Sequence, residues 1–294
     1  MRNDAAQIDR AALRRALGRA AASYDGAAAL QSAVRRDLLE RLDLVALAPR
    51  TVVDLGCATG AASVELRRRY PAARVIAVDP SIEMLRSAGR RQRWWRRFDR
   101  LCADLDHLPL DAASVDLLFC NLAAAWSDPV ALFAEARRVL APRGLFTFTS
   151  LGPDTLGELR RAWAAADRGL HVHPFRDMHE MGDALMAAGF AQPVLDVERR
   201  LVTYAGLDGL VADLRASGAR NVQSARPRGL TGRGRARALR AAYESERHEG
   251  RLPATFEIVF GHAWAPAATS RAQGESVGFP LEQLRRTLKS GGRR

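Results

Sequence analysis

Cysteine, lysine and long apolar runs are all scarce in this sequence of 294 residues. Its three cysteines, Cys57, Cys102 and Cys120, lie far apart and form no C-x-x-C pair, which argues against a disulfide framework or a zinc knuckle. No apolar run approaches the roughly 18 to 20 residues of a membrane span, and the first residues lack the apolar stretch of a secretory signal. We therefore expect a cytoplasmic protein with no membrane partner.

Positive charge is abundant, and nearly all of it is arginine. Lys and Arg number 45 against 33 acidic residues, a formal net charge of +12, and Lys289 is the only lysine. Eight of the arginines lie between residues 215 and 240, a stretch without Asp or Glu. A second cluster, residues 90–97, mixes arginines with two tryptophans. Such surfaces suit an acidic protein or a nucleic acid, although a merely solvated basic face is the simpler alternative.

Short apolar strands alternate with helical segments between residues 50 and 150. The pattern predicts strands at 51–55, 74–78, 98–103, 115–120 and 145–149, with helices at 61–70, 81–91 and 128–140. It also predicts a turn at Pro142–Gly144 before the fifth strand. Two further strands are expected at 193–204 and 254–264, and further helices at 154–167 and 177–188. This alternation is typical of an α/β fold with a doubly wound, mostly parallel sheet of seven strands.

The remaining segments are expected to decorate one domain that spans residues 1–266. Residues 1–48 contain two helices joined at Tyr24–Gly26, and residues 205–252 form a partly helical, inserted cap. Residues 50–150 make the ligand-binding half. The tail, residues 267–294, is polar and carries a weak helical pattern around Leu281 and Leu284.

The most informative motif is the glycine turn after the first strand, Asp54-Leu-Gly56-Cys-Ala-Thr-Gly60. Ligands of open parallel sheets bind beyond the carboxyl ends of the strands, and glycine lets a backbone approach a ligand closely. The turn lacks the full G-x-G-x-x-G pattern of nicotinamide sites, and a carboxylate beside it would repel a pyrophosphate. Asp79 and Asp104 end the next two strands. Three acids at successive strand ends favour a cationic ligand without phosphate, such as S-adenosylmethionine.

With these motifs, residues 50–150 resemble the class I, Rossmann-like methyltransferases that use S-adenosylmethionine. The resemblance is carried by the glycine turn, by Val78-Asp79-Pro80-Ser-x-x-Met84-Leu85, by Asp104-Leu105-x-x-Leu-Pro109 and by Leu140-x-Pro-x-Gly144. It departs from the family at Ala58, where glycine is usual. The resemblance implies a set of cofactor-binding residues: Asp54, Gly56, Cys57, Gly60, Asp79, Pro80, Met84, Asp104, Leu105 and Asn121.

A more specific resemblance extends to about residue 266. Its motifs are Ser23-Tyr24-Asp25 with Ala29-Leu-Gln31, Asn121-Leu-x-x-x-Trp126, Ser150-Leu-Gly-Pro-Asp-Thr155, His173-Pro-Phe-x-Asp-Met178, Leu214-Arg215-x-x-Gly218 and Pro253-Ala-Thr-Phe-Glu257. These motifs are similar to the malonyl-acyl-carrier-protein O-methyltransferases of biotin synthesis. The resemblance implies methyl transfer to the free carboxylate of a malonyl thioester, on an acyl carrier protein or coenzyme A. The resulting methyl ester primes pimeloyl formation. The arginine hydroxylases of respiratory-complex assembly share parts of the same pattern.

The implied reaction needs no general base, because a carboxylic acid with a pKa near 4 is already ionised at pH 7. We expect catalysis to come from alignment and from the exclusion of water. Tyr24 would fold over the cleft, Asn121 would face the methyl group, and Arg215 would anchor the carboxylate. Each has a plainer alternative, respectively packing, a turn or a surface charge. His171, His173 and His179 lack accompanying ligands, so no metal is expected.

Two other functions stay open on the sequence alone. The same cofactor could serve methylation of another small acid or of a metabolite hydroxyl. Alternatively, the chain could bind the cofactor without transferring its methyl group, as an assembly factor or an RNA-binding module. Under the leading hypothesis, the basic cap would attract an acidic acyl carrier protein, and nucleic acid would not be a partner.

Overall fold

The computed structural model describes residues 7–267, in which seven strands form one sheet. The strands are β1 (Thr51–Leu55), β2 (Arg74–Asp79), β3 (Asp99–Cys102), β4 (Val115–Cys120), β5 (Leu140–Leu151), β6 (Ala191–Tyr204) and β7 (Leu252–Trp264). Their order is β3-β2-β1-β4-β5-β7-β6, with β7 antiparallel to both of its neighbours and the other pairs parallel. The predicted doubly wound, mostly parallel sheet of seven strands is confirmed.

Helices cover both faces of this sheet. They are α1 (Arg10–Ala20), α2 (Tyr24–Ala27), α3 (Ala29–Arg41), α4 (Ala61–Arg69), α5 (Ile82–Arg91), α6 (Pro129–Val139), α7 (Gly157–Ala164), α8 (Met178–Ala187), α9 (Leu207–Ala216) and α10 (Arg233–Glu244). Successive residues of β1 serve opposite faces: Val52 joins the apolar cluster of α3 and α4, whereas Val53 joins that of α6 and α8. Because both faces are buried, the central strands read as continuous apolar runs.

Several boundaries differ from the sequence-based predictions. The expected joint between the two N-terminal helices is itself the short helix α2. The expected turn at Pro142–Gly144 lies inside β5, because Leu140 already pairs with Val115 before the register shifts ahead of the Leu117–Leu145 pair. Helix α7 is shorter at both ends than predicted. The weak helical pattern around Leu281 lies outside the described residues. Within residues 7–267, no helix is long and apolar enough to cross a membrane.

The predicted cap contains α9 and α10, which contact elements from distant parts of the sequence. Helix α10 packs on α7, and its buried Tyr243 donates a hydrogen bond to the carbonyl oxygen of Pro253 at 2.7 Å. Helix α9 contacts α2, and Ser23 Oγ donates to the carbonyl oxygen of Ala216 at 3.0 Å. The cap therefore lies beside the N-terminal helices, above the carboxyl end of the sheet.

Candidate functional site

The glycine turn after β1 has the backbone geometry that its sequence predicts. Gly56 has φ +75°, and a Cβ there would lie 2.1 Å from Ala123 Cβ. Gly60 has φ +78°, and a Cβ there would lie 2.7 Å from Ala88 Cβ. Both positions therefore require glycine for conformation and for packing. Ala58 lies between them at φ +47°, a left-handed conformation that explains why glycine is usual at this position in the family.

Two open cavities meet above this turn. The larger has a volume of about 1180 Å³ and the smaller about 740 Å³, each including the space at its mouth. Five residues line both cavities: Tyr24, Gln31, Gly56, Ala58 and Asn121. Their shared wall makes the two cavities adjoining parts of one site at the carboxyl ends of β1, β2 and β4.

Asp79 lies at the end of β2 and lines the larger cavity. Its carboxylate accepts the backbone N–H of Ala58 at 2.9 Å and that of Ser81 at 2.8 Å. Burial raises the pKa of Asp79 to about 6, against the lowering effect of these two hydrogen bonds. Because each carboxylate oxygen has a second lone pair, Asp79 can still accept hydrogen bonds from a ligand in the cavity.

Asp54 lies at the end of β1 and lines the smaller cavity. It accepts a hydrogen bond from Ser63 Oγ at 2.5 Å, and burial raises its pKa to about 7. The two arginines in this wall are already paired. Arg35 lies 3.2 Å from Glu65, and Arg91 pairs with Asp25. The smaller cavity thus combines a buried acid with two compensated cations.

Tyr24 begins α2, a strap that lies across the junction of the cavities. The strap is held by Asp25, which accepts from Thr59 Oγ1 at 2.6 Å and pairs with Arg91. Burial, followed by the nearby Asp79 and Asp25, raises the pKa of the Tyr24 phenol. Tyr24 therefore remains protonated at neutral pH and can donate a hydrogen bond.

Asn121 follows β4 and lines both cavities. Its Nδ2 donates to the backbone oxygen of Gln31 at 3.0 Å, and its Oδ1 accepts from Thr149 Oγ1 at 3.2 Å. Two more predicted cofactor residues, Pro80 and Leu105, line the larger cavity, and Cys57 lines the smaller one. Burial raises the pKa of Cys57, which leaves the thiol neutral and a poor nucleophile.

Four predicted site residues do not line either cavity. Asp104 instead pairs with Arg10 and Arg14 of α1, each at 3.2 Å. Met84 is wholly buried in the core, and Gly60 packs against Ala88. Arg215 is exposed on α9, where its neighbours Asp213, Leu214 and Ser217 line the larger cavity instead.

Some cavity residues were not predicted. Gln31 lines both cavities, and its Oε1 is buried without a hydrogen-bond partner among the described residues. Gln31 shares a helix face with Val34 and Leu38. A single amide among apolar residues on one helix face was therefore the sequence signal that could have identified it. Tyr204 and Phe256 form part of the apolar wall below the cap, and they come from the distant strands β6 and β7. Their proximity depends on strand order, which the sequence does not state.

Two of the three histidines between residues 171 and 179 are engaged by neighbouring side chains. His173 is buried, packs 5.5 Å from the Trp126 ring, and has its pKa lowered to about 4 by that burial. His171 stacks on Trp163 and bonds to Asp167 at 2.6 Å. Among residues 7–267, no three His, Cys, Asp or Glu side chains are grouped to hold a metal ion.

Comparisons with known proteins agree with this geometry. Residues 53–148 match a family model described as a methyltransferase domain. The fold is similar to that of the YcgJ protein from Bacillus subtilis, with a TM-score of 0.57, 17% identity, and coverage of 79% of this chain and 98% of that one. It is also similar to a putative methyltransferase from Bacillus halodurans, with a TM-score of 0.56, 15% identity, and coverage of 79% and 100%. The chain is a class I methyltransferase by fold.

Relatives with higher identity define the family more narrowly. A malonyl-acyl-carrier-protein O-methyltransferase from Methylovorus sp. is 49% identical over 91% of this chain and 93% of its own length. Another, from Laribacter hongkongensis, is 47% identical over 91% and 93%. The chain belongs to the malonyl-acyl-carrier-protein O-methyltransferase family, and it is an S-adenosylmethionine-dependent enzyme.

The groups at the two cavities fit that cofactor. S-adenosylmethionine carries positive charge and no phosphate, and the walls offer two buried carboxylates, Asp54 and Asp79. The glycine turn between them presents backbone rather than side chains. These acceptors suit a cation bearing hydroxyl groups and would disfavour a pyrophosphate.

Proposed function

We propose that this chain methylates the free carboxylate of a malonyl group carried by an acyl carrier protein, and thereby forms the malonyl methyl ester. The observation that carries the proposal is the meeting of an acid-lined cavity with a larger, mostly apolar one at Tyr24, Gln31 and Asn121. A cationic methyl donor suits the junction, where Asp54 and Asp79 lie on the two sides, and a thioester chain suits the apolar remainder of the larger cavity. The relatives named malonyl-acyl-carrier-protein O-methyltransferases support this acceptor.

In this proposal, Asp54, Asp79 and the backbone around Gly56 hold the cofactor, with Pro80 and Leu105 beside it. The bound cofactor supplies an electrophilic methyl group on a sulfonium. The acceptor carboxylate is ionised at neutral pH, so the chain need not remove a proton. Its residues have to align the two groups and exclude water, which the strap α2 and the apolar wall at Phe256 are suited to do.

The larger cavity favours binding of the acceptor through uncharged hydrogen-bond donors. Among the described residues that line it, none is Lys, Arg or His. The hydroxyl of Tyr24 and the amide of Asn121 can donate hydrogen bonds without a full positive charge. A bidentate arginine would bind the carboxylate more strongly but would also lower its nucleophilicity. Neutral donors therefore fit a carboxylate that must attack.

Arg215 fits a different role in this proposal, as part of a docking surface for the acidic carrier. Arg226, Arg235 and Arg240 of the cap are paired with acids. The other five make no ion pair within residues 7–267: Arg215, Arg220, Arg228, Arg233 and Arg237. Leu230, 95% exposed, lies among them. Unpaired cations in the same segment of the cap as an exposed leucine suit an acidic protein partner.

The deciding experiment offers the purified chain malonyl-acyl carrier protein, malonyl-coenzyme A and a panel of other small acids, each with S-adenosylmethionine. Mass spectrometry should detect a malonyl product heavier by one methyl group, preferentially on the carrier. Methylation of another acid, or cofactor binding with no methylated product, would refute the proposal. We place the reaction in biotin synthesis in the cytoplasm. This placement predicts that the chain restores growth of a biotin-requiring strain that lacks this methylation.

A further inference from the structure

A buried threonine next to Asn121 connects the sheet to the site. Thr149 lies on β5 and is fully buried, yet its hydroxyl takes part in two hydrogen bonds. Its Oγ1 accepts the backbone N–H of Leu122 at 2.8 Å and donates to Asn121 Oδ1 at 3.2 Å. Thr149 itself lines neither of the two cavities. Its hydroxyl can therefore affect a ligand there only through the residues that it holds.

The turn after β4 depends on such a support. Leu122 has φ +57°, a left-handed conformation that is uncommon and costly for a leucine. Residues persist in such conformations where the surrounding structure restrains them. The hydrogen bond from the Leu122 N–H to Thr149 supplies a restraint of this kind. Because Leu122 lines the larger cavity and Asn121 lines both, Thr149 supports a turn that belongs to the site.

The polarity of these hydrogen bonds fixes the orientation of the Asn121 amide. A backbone N–H can only donate, so Thr149 Oγ1 accepts from Leu122 and has its one hydrogen left for Asn121 Oδ1. A backbone oxygen can only accept, so Asn121 Nδ2 donates to that of Gln31, at 3.0 Å. With the amide reversed, Oδ1 would face the Gln31 oxygen, and the Thr149 hydrogen would lose its acceptor. Oδ1 is thus held toward β5 and Nδ2 toward α3.

This arrangement leaves one N–H of the Asn121 amide for a ligand. Nδ2 carries two hydrogens and donates one of them to Gln31, in the one hydrogen bond that it makes within residues 7–267. Asn121 is half-buried and lines both cavities, so its side chain is not sealed in the core. An uncharged donor at this point can bind one oxygen of a carboxylate without the loss of nucleophilicity that a bidentate arginine causes.

We propose that Thr149 is a positioning residue for methyl transfer, whose hydroxyl orients the Asn121 amide so that the remaining N–H of Nδ2 is donated to the acceptor carboxylate. The inference rests on the proposed function in one respect, that the acceptor is a carboxylate. Thr149 does not contact the reactants in this assignment. Its contribution to the rate should therefore disappear when the Asn121 amide is removed.

A double-mutant cycle between Thr149 and Asn121 tests the assignment. Steady-state kinetics of T149V, N121A and T149V/N121A are measured with whichever acid the wild-type chain methylates. T149V should lower kcat/KM for the acceptor roughly 5-fold, as expected for one neutral hydrogen bond, and leave the Kd of S-adenosylmethionine within about 2-fold. N121A should lose at least as much, and the double variant should be no slower than N121A. T149S keeps the hydroxyl and should stay within about 2-fold of the wild type.

T147V is the matched control. Thr147 lies two residues earlier on β5 and is equally buried, and its Oγ1 has no hydrogen-bond partner within the described part of the chain. T147V should therefore keep the wild-type kcat/KM. If T149V melts below the assay temperature, T149A removes the same hydroxyl without placing a methyl group against the Leu122 N–H, and it carries the same expectations.

Four results would overturn the proposal. They are wild-type kinetics in T149V, an equal loss in T149S, a T149V loss that persists in full in the N121A background, and a T149V loss that lies in cofactor binding. Failure of the proposed function looks different. A wild-type chain that methylates another acid contradicts the malonyl acceptor, whereas normal kinetics of T149V contradict only the role of Thr149.

Discussion

Replacement of Asp54 by Asn should change the pH dependence of stability more than any exposed acid does. Asp54 is buried at 1% exposure, and burial raises its pKa from 3.8 to about 7 in the folded chain. Between these values the folded chain binds a proton that the unfolded chain has released, so wild-type stability falls as the pH rises from about 4 to 7. An Asn at this position does not titrate. The unfolding free energy of D54N should therefore increase relative to that of the wild type as the pH rises.

The size of the effect follows from proton linkage. For a folded pKa of about 7 against 3.8, the difference in unfolding free energy between D54N and the wild type should grow by about 2.5 kcal/mol between pH 5 and pH 8. Groups that titrate identically in both proteins cancel in this difference. Saturating S-adenosylmethionine should reduce the growth, because a bound cation stabilises the ionised carboxylate.

Urea unfolding of the cofactor-free proteins at four pH values between 5 and 8 measures this difference directly. D111N, which changes an exposed acid outside both cavities, is the matched control for the replacement of an Asp by Asn. A D54N difference that does not change with pH would refute the reasoning. It would mean that Asp54 is solvated in the folded chain, where its ionisation costs no more free energy than it does in the unfolded chain.

Three further predictions separate the groups at the site. D79A should weaken S-adenosylmethionine binding at least roughly 10-fold by calorimetry, because it removes a charged acceptor, whereas D104A should not; equal effects would contradict the cavity geometry. A58G should raise the unfolding free energy by up to about 1 kcal/mol in urea titrations, since it relieves a left-handed alanine, and a loss would contradict this. R228E/R233E should raise KM for the malonyl carrier, but not the cofactor Kd, and salt should shrink the effect. R97E, which reverses the charge of an exposed arginine outside the cap, is the control for this double variant.

The sequence was most informative where local pattern determines structure. Gly56 and Gly60 needed only the strand before them and the helix after them to be placed, and Asp79 followed from the end of β2. Asp104 was expected at the cavity for the same reason, yet Arg10 and Arg14 of α1 pair with it. That pairing joins residues about ninety positions apart, and no local pattern records it. The turn expected before β5 is part of the strand for a similar reason, because Leu140 pairs with the distant Val115.

The cap illustrates a second limit. The sequence located α9 within an inserted segment, but it did not state which face of that helix meets the cavity. Asp213, Leu214 and Ser217 line the larger cavity, whereas Arg215, between them in the sequence, is exposed and does not line it. Helical spacing could have separated these faces only if the neighbour of α9 had been known. That neighbour is α2, almost two hundred residues away in the chain.

The contact between α2 and α9 brings together two segments that are almost two hundred residues apart in the sequence, beside the same pair of cavities. The strap α2 is held on one side by Asp25, which bonds to Thr59 of the glycine turn, and on the other by Ser23, which bonds to Ala216 of the cap. The same four-residue helix thus borders both the acid-lined cavity and the larger apolar one. A reaction that depends on alignment and on the exclusion of water needs both cavities to be enclosed together. Under the proposed function, a single strap anchored to both sides meets that requirement.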